Sequence, residues 1–180
     1  MLALTTGMRR GELLALRWQD IDLAAGILQV QHTLARMPQG LQLTEPKTPR
    51  SRRRIALSTS AVAALHRQKR QQATDRLRLG PAWEDHGLVF ANEIGRPIEA
   101  GNLLRRSFWP LLDKTMLPRV RFHDLRHTAA TLLLQQGVHA KVVSELLGHS
   151  SVGMTLDVYS HVIPDMQHAA AAAMDQLLRL

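Results

Sequence analysis

The chain has 180 residues, 45% of them hydrophobic, which suits one compact domain with a real core and no covalent staples. It has no cysteine, which excludes disulfides, thiolate zinc sites and a cysteine nucleophile. The net charge is +8 and 19 of the 23 basic residues are arginine, whose planar guanidinium grips phosphate bidentately; this favours a polyanionic partner, while 4% aromatic residues argue against a single-strand binder built on stacking platforms.

The stretch from Met1 to Trp18 places Leu2, Leu4, Leu13, Leu14 and Leu16 around T-T-G-M-R-R-G-E, with Thr6 as the expected N-cap of a helix carrying Glu12. The chain starts so close to this first motif that preceding helices or a whole N-terminal domain are expected to be missing. From Asp20 to Leu34 short strands are expected, because Ile21, Leu23, Ile27, Leu28 and Val30 flank an Ala25-Gly26 turn. The stretch M-P-Q-G-L-Q-L-T-E-P-K-T-P-R-S-R-R-R-I-A-L-S holds three prolines, a glycine and the Arg50 to Arg54 cluster, and reads as an exposed loop feeding a third strand at Ile55 to Leu57.

Thr59 or Ser60 is placed to cap a long helix ending at Leu79 before Gly80-Pro81, with Ala61, Val62, Leu65 and Leu77 facing inward. A short apolar piece, Gly87 to Ala91, and a turn at Ile94 to Pro97 lead to a helix from Ala100 to Leu112. The remainder is helical in pieces: Phe122 to Gln136, His139 to Leu147, Ser151 to Tyr159, and an alanine-rich tail from Asp165 to Leu180. Leu132 to Leu134, Val142, Val143, Leu146 and Leu147 read as core by helical spacing, and Trp18, Trp83, Trp109 and Asp124 as structural. No run is apolar enough to span a bilayer and no leader precedes the first motif, so the expected location is the cytoplasm, away from membranes.

The chemistry is densest in F-H-D-L-R-H-T-A-A-T-L-L-L-Q-Q-G-V-H-A-K-V-V-S-E-L-L-G-H-S-S-V-G-M-T-L-D-V-Y-S-H-V. His123, Arg126 and His127 are three and four apart and share one face at a helix start, where amide dipoles also attract an anion; that face can hold a phosphate. His149 follows Gly148 at a helix end, and Tyr159, the single tyrosine, lies ten residues later. A phenol of pKa about 10 needs a base to become a nucleophile near neutrality, and His123 can be that base. Charge growing on phosphate oxygens calls for guanidinium and imidazole donors, for which Arg9, Arg126 and His149 are the candidates.

H-D-L-R-H-T, L-L-G-H-S-S and T-L-D-V-Y-S-H-V, in this order and with these gaps, closely resemble the C-terminal boxes of tyrosine recombinases and phage integrases, and T-G-M-R-R-G-E-L-L-A-L-R-W-Q-D-I-D resembles that family's first arginine box. The likeness runs from Thr5 to about Val162. It implies an α+β catalytic domain spanning 1–180, mainly α-helical with a small three-stranded antiparallel sheet near the N-terminus, and working with a DNA-clamping N-terminal domain that this chain lacks. Position by position it makes Arg9 and Arg126 the catalytic arginines and Tyr159 the nucleophile. His123 and His149 flank the phosphate, and Lys47 takes the place of the mobile lysine that protonates the leaving 5′-oxygen. Glu12 orients Arg9 rather than reacting, His127 supports the site, and Arg50, Arg52, Arg53 and Arg54 form a face for the DNA backbone. Family members act as four protomers on two duplexes. The expected partners are therefore double-stranded DNA and, on DNA, a homotetramer, with a monomer off DNA; the tail has two fates, docking in a neighbouring protomer or folding onto its own core. Neither metal nor other cofactor is called for, since the ester bond energy is kept in a 3′-phosphotyrosine and the arginines neutralise charge. Three other readings stand beside this one: a DNA-binding relic that no longer cuts, a metal-dependent phosphohydrolase using His123-Asp124 as a ligand doublet, and a type IB topoisomerase.

Overall fold

The computed structural model describes residues 1–46, 48–159 and 164–178, with the side chains at 49, 158, 159, 164–167 and 169 excepted. Helix α1 (Leu2–Thr6) ends at Gly7, and α2 (Arg10–Leu14) follows. Strands β1 (Ile21–Asp22), β2 (Ile27–Val30) and β5 (Arg53–Ala56) form an antiparallel sheet in the order β1-β2-β5, the three-stranded sheet expected from sequence. The β1–β2 turn closes as expected at Gly26, with the Asp22 carboxylate accepting from Ala24 N and Ala25 N and Gly26 at φ 65°.

A second hairpin, β3 (Thr33–Met37) with β4 (Gly40–Thr44), corrects the expected loop. The Met37 to Gly40 pairing leaves Pro38 and Gln39 as a two-residue turn, so that proline marks a strand reversal rather than a long irregular segment.

Helix α3 (Thr59–Leu79) has the expected span, but its cap is Ser58, whose side chain accepts from Ala61 N. Leu77 points into solvent at 84% exposure, because the inward stripe runs through Ala61 and Leu65 and Leu77 falls off it. The expected helix over 100–112 is continuous but not regular: α4 (Ala100–Leu103), a π-helical turn (Leu104–Phe108) and α5 (Trp109–Lys114). Pro110 has no N–H to give, and the ladder widens in the turn just before it. Helices α6 (Asp124–Gln135), α7 (Ala140–Leu147), α8 (Val152–Tyr159) and α9 (Pro164–Leu178) complete the described chain.

The main core joins Leu2, Met8, Leu13, Leu16, Leu28, Val30, Ile55, Leu65 and Val89, and a smaller one joins Ala130, Leu134, Val143 and Leu147 across α6 and α7. Leu132 and Val142 are half exposed, on the outer flanks of those two helices. On α9, Met174, Leu177 and Leu178 are exposed. No helix among the described residues is long and apolar enough to cross a membrane.

Candidate active site

Arg9 is held at a helix start rather than within a helix. It N-caps α2, and Glu12 at the third helical position reaches back to it: the carboxylate accepts from Arg9 N (2.9 Å) and from Arg9 Nη1 (2.7 Å). This box, not Thr6, starts the helix; the Thr6 hydroxyl turns back to Leu2 O (2.7 Å) within α1. Glu12 is buried, and its second ion-pair partner is Arg53 Nη2 at 2.9 Å. Burial pushes the Glu12 carboxyl up, but the Arg53 hydrogen bond and charge, with the bonds from Arg9, outweigh burial and hold it below the usual carboxylate range.

Arg126 comes from the opposite side, on α6. Its side chain is buried, with Nη1 donating to Gly7 O and Nη2 to Leu147 O, both at 2.7 Å. The guanidinium thereby ties the α1–α2 corner to the end of α7. Gly7 is confined there: its φ is 60°, and an added Cβ would lie 2.5 Å from Leu147 Cδ2. Arg9 reaches the same place, with Nη2 donating to Gly148 O at 3.3 Å.

His123 precedes α6, its ring edge-on to His127 with centroids 4.9 Å apart. Desolvation first, then the positive fields of His127, Arg126 and Arg9, lower its pKa, so the imidazole is a neutral proton acceptor near pH 7. His149 lies just past the left-handed cap at Gly148, and its Nδ1 is 2.8 Å from the Thr155 hydroxyl. Partial burial, then Arg126, Arg9 and Arg53, bring its pKa down to about 4. A Thr155 hydroxyl donating to Nδ1 leaves the ring proton on Nε2, the tautomer that can donate to a phosphate oxygen.

His149 should therefore make stability depend on acid. Its folded pKa of about 4 is below the ordinary 6.5, so the unfolded chain takes up a proton that the folded one refuses. The contribution is complete above pH 6.5 and is lost as the pH falls towards 4. The thermal midpoint is expected to drop over that window, and His149→Gln to flatten the drop; an unchanged slope in that variant would contradict the assignment.

Of the arginine cluster, Arg50 donates to Ser150 O beside His149, Arg52 pairs with Glu45 at 2.5 Å, and Arg54 is exposed on β5. Arg53 departs from the expected DNA-facing role. Its side chain is 6% exposed, with Nε bound to Leu146 O, Nη1 to Ser51 O and Nη2 to Glu12, so it is turned inward. One cleft lined by Arg10, Arg119 and Arg121 reaches His123, and another lined by Arg50, Arg52 and Lys141 reaches His149.

Lys47 lies outside the described residues. Tyr159 ends α8, one turn beyond Thr155 and on the same helical face by position, and its side chain is likewise outside the described residues. Asp124 gives no sign of metal ligation: its carboxylate accepts from Arg121 N (2.8 Å), Nε (3.2 Å) and Nη2 (3.0 Å). Among the described residues no three His, Asp or Glu side chains are grouped as a metal ion needs.

Residues 1–166 match the model of the phage integrase family. The chain belongs to that family. Among integrase-family relatives it is 35% identical to a XerC-like tyrosine recombinase of Caldanaerobacter subterraneus, over 98% of this chain and 48% of that protein. With the ICEBs1 integrase of Bacillus subtilis the identity is 33%, again over 98% of this chain and 48% of the relative. The chain thus spans about half the length of these relatives. Its fold is similar to that of the Tn1549 transposon integrase solved with a circular intermediate DNA: TM-score 0.76, 27% identity, 98% of this chain and 56% of that one. The XerA recombinase is similar at TM-score 0.65 and 26% identity, over 99% and 56%. These neighbours share the mostly helical architecture with a small antiparallel sheet.

One member of the site, Thr155, was not singled out from sequence, and another, Arg53, was expected on the face for DNA. Thr155 carried a signal, standing four residues before Tyr159 and six after His149, so one helical turn relates it to the nucleophile candidate. Arg53 carried one too: it is two residues from the buried Ile55, and alternation along β5 puts both on the inner face.

Proposed function

We propose that this chain is the catalytic domain of a site-specific DNA recombinase that cuts and rejoins double-stranded DNA through a 3′-phosphotyrosine at Tyr159, acting on DNA as one of four protomers. The observation that carries the reading is the convergence of three separate segments: Arg9 before α2 and Arg126 on α6 both donate to the turn 147–149 that carries His149, and His123 caps the same helix as Arg126.

In the proposed reaction His123 takes the phenol proton, the Tyr159 oxygen bonds to phosphorus, and the bond from phosphorus to the 5′-oxygen breaks. Lys47 delivers a proton to that leaving oxygen, a positioned transfer worth about 10² to 10⁴ in rate. Arg9, Arg126 and neutral His149 bind the non-bridging oxygens as their charge grows. A 5′-hydroxyl from another strand reverses the steps without an energy source. Arg50, Arg52 and Arg54, with the two basic clefts, supply backbone contacts that set position rather than sequence preference.

The test is a duplex nicked just beyond the cut site, so that the short 5′-hydroxyl fragment diffuses away after cleavage. A denaturation-resistant adduct, mapped by peptide mass to Tyr159 and formed equally well in EDTA, is expected. An adduct at another residue, or one lost in chelator, would refute the scheme.

A further inference from the structure

Glu12 is one carboxylate shared by two guanidiniums. Its Oε1 receives Arg9 Nη1, while Oε2 receives both the Arg9 backbone N–H and Arg53 Nη2. Arg9 is the outer partner, its side chain 39% exposed, and Arg53 the inner one at 6%. With Glu12 alone, Arg9 would be half of a neutral pair and a poor hold for charge developing on phosphate. With Arg53 present, the trio carries a net positive charge whose exposed member is Arg9.

We infer that Arg53 is a positioning residue for strand cleavage: it takes up the buried charge of Glu12 from behind and so leaves Arg9 an effective cation towards the phosphate. Its Nε holds the turn that carries His149. Nε binds Leu146 O at 2.5 Å, and the guanidinium packs against Gly148, where an added Cβ would lie 3.0 Å from Arg53 Nη1. Arg9 donates to Gly148 O in the same turn, so both cations are referenced to one carboxylate and one stretch of backbone. The proximity of Arg53 to His149 also contributes to that ring's low pKa.

The inference rests on the recombinase reading, and its test separates the two. The full 180-residue chain is assayed on the nicked duplex for single-turnover adduct formation and for DNA affinity. Arg53→Met is expected to slow adduct formation about 10²-fold, the lower end of what a lost transition-state donor costs, while DNA affinity stays within about threefold because the Arg53 side chain is only 6% exposed, at the floor of the cleft beside His149. Arg53→Lys, which keeps the charge, is expected to stay within about tenfold of the parent. The decisive variant is Glu12→Gln combined with Arg53→Met. Removing the unopposed carboxylate charge should restore adduct formation at least about tenfold over Arg53→Met alone, a non-additive cycle. A merely structural Arg53 predicts no such rescue, since the bond to Leu146 O stays broken in both, and that result overturns the inference.

Should Arg53→Met not fold, the double variant, which leaves no uncompensated buried charge, carries the test against the parent. A rate within about tenfold supports the inference and a larger loss overturns it. One readout needs no DNA: the His149 ring, followed by proton NMR, should titrate at higher pH in Arg53→Met and return towards the parent value in the double variant. No change in that titration also overturns the inference. A parent chain that forms no adduct while its His149 behaves as described sinks the recombinase reading alone.

Discussion

Tyr159→Phe is expected to remove the covalent protein–DNA adduct entirely while leaving DNA affinity within about twofold, because affinity for duplex comes mainly from phosphate contacts and one lost hydroxyl touches few of them. No thiol and no second phenol can take its place: the chain has no cysteine and no second tyrosine. His123 and His149 have their pKa lowered by burial and by the arginines, which suits the neutral rings to moving protons and donating hydrogen bonds. The same pair of measurements separates an enzyme from a non-cutting relic of the fold. A relic would bind DNA in the parent form with no adduct to lose, whereas the proposed enzyme loses the adduct and keeps the binding. Residual adduct in the Phe variant would mean that the chemistry belongs to another residue.

Part of this site could be read from sequence because three of its members are local in the chain. His123, Arg126 and His127 fall on one helical face by their spacing alone, and the glycines at 137 and 148 mark where α6 and α7 stop. The misreadings have the opposite origin, in interactions that spacing does not carry. Thr6 looks like a cap, yet the carboxylate of Glu12 finds the Arg9 backbone, and Thr6 is drawn into the preceding turn. In 37–44 the proline and glycine outweighed the alternation of Leu41 and Leu43, although pairing with β3 makes the segment a strand. Arg53 was grouped with its neighbours by charge. Alternation with the apolar Ile55 marks its β5 face as the inner one; what spacing does not carry is the partner, the buried Glu12 that lets a guanidinium be tolerated there.

Arg126 and Arg9 should respond differently to replacement, although both are assigned to the same phosphate. Arg126 is buried and closes the fold over two backbone carbonyls, Gly7 O and Leu147 O. Replacement by methionine strands both, at about 1–3 kcal/mol for each unsatisfied buried acceptor. With about 2–4 °C per kcal/mol in a chain of this size, the thermal midpoint should fall by about 5 °C or more. Adduct formation should fall with it by about 10³-fold, since a transition-state donor is lost and the His149 turn loses its anchor. Arg126→Lys keeps the charge, but an ammonium cannot span two carbonyls in the fixed geometry of a guanidinium, so it should rescue little of either loss. Arg9 is 39% exposed and binds the fold through Glu12 and a longer 3.3 Å contact to Gly148 O. Arg9→Lys should therefore cut adduct formation by about 10²-fold or more while shifting the midpoint by no more than about 2 °C. Calorimetry and adduct kinetics on the two lysine variants decide the matter. An Arg126→Lys protein that melts with the parent would show that the guanidinium does not hold the α1–α2 corner to the end of α7.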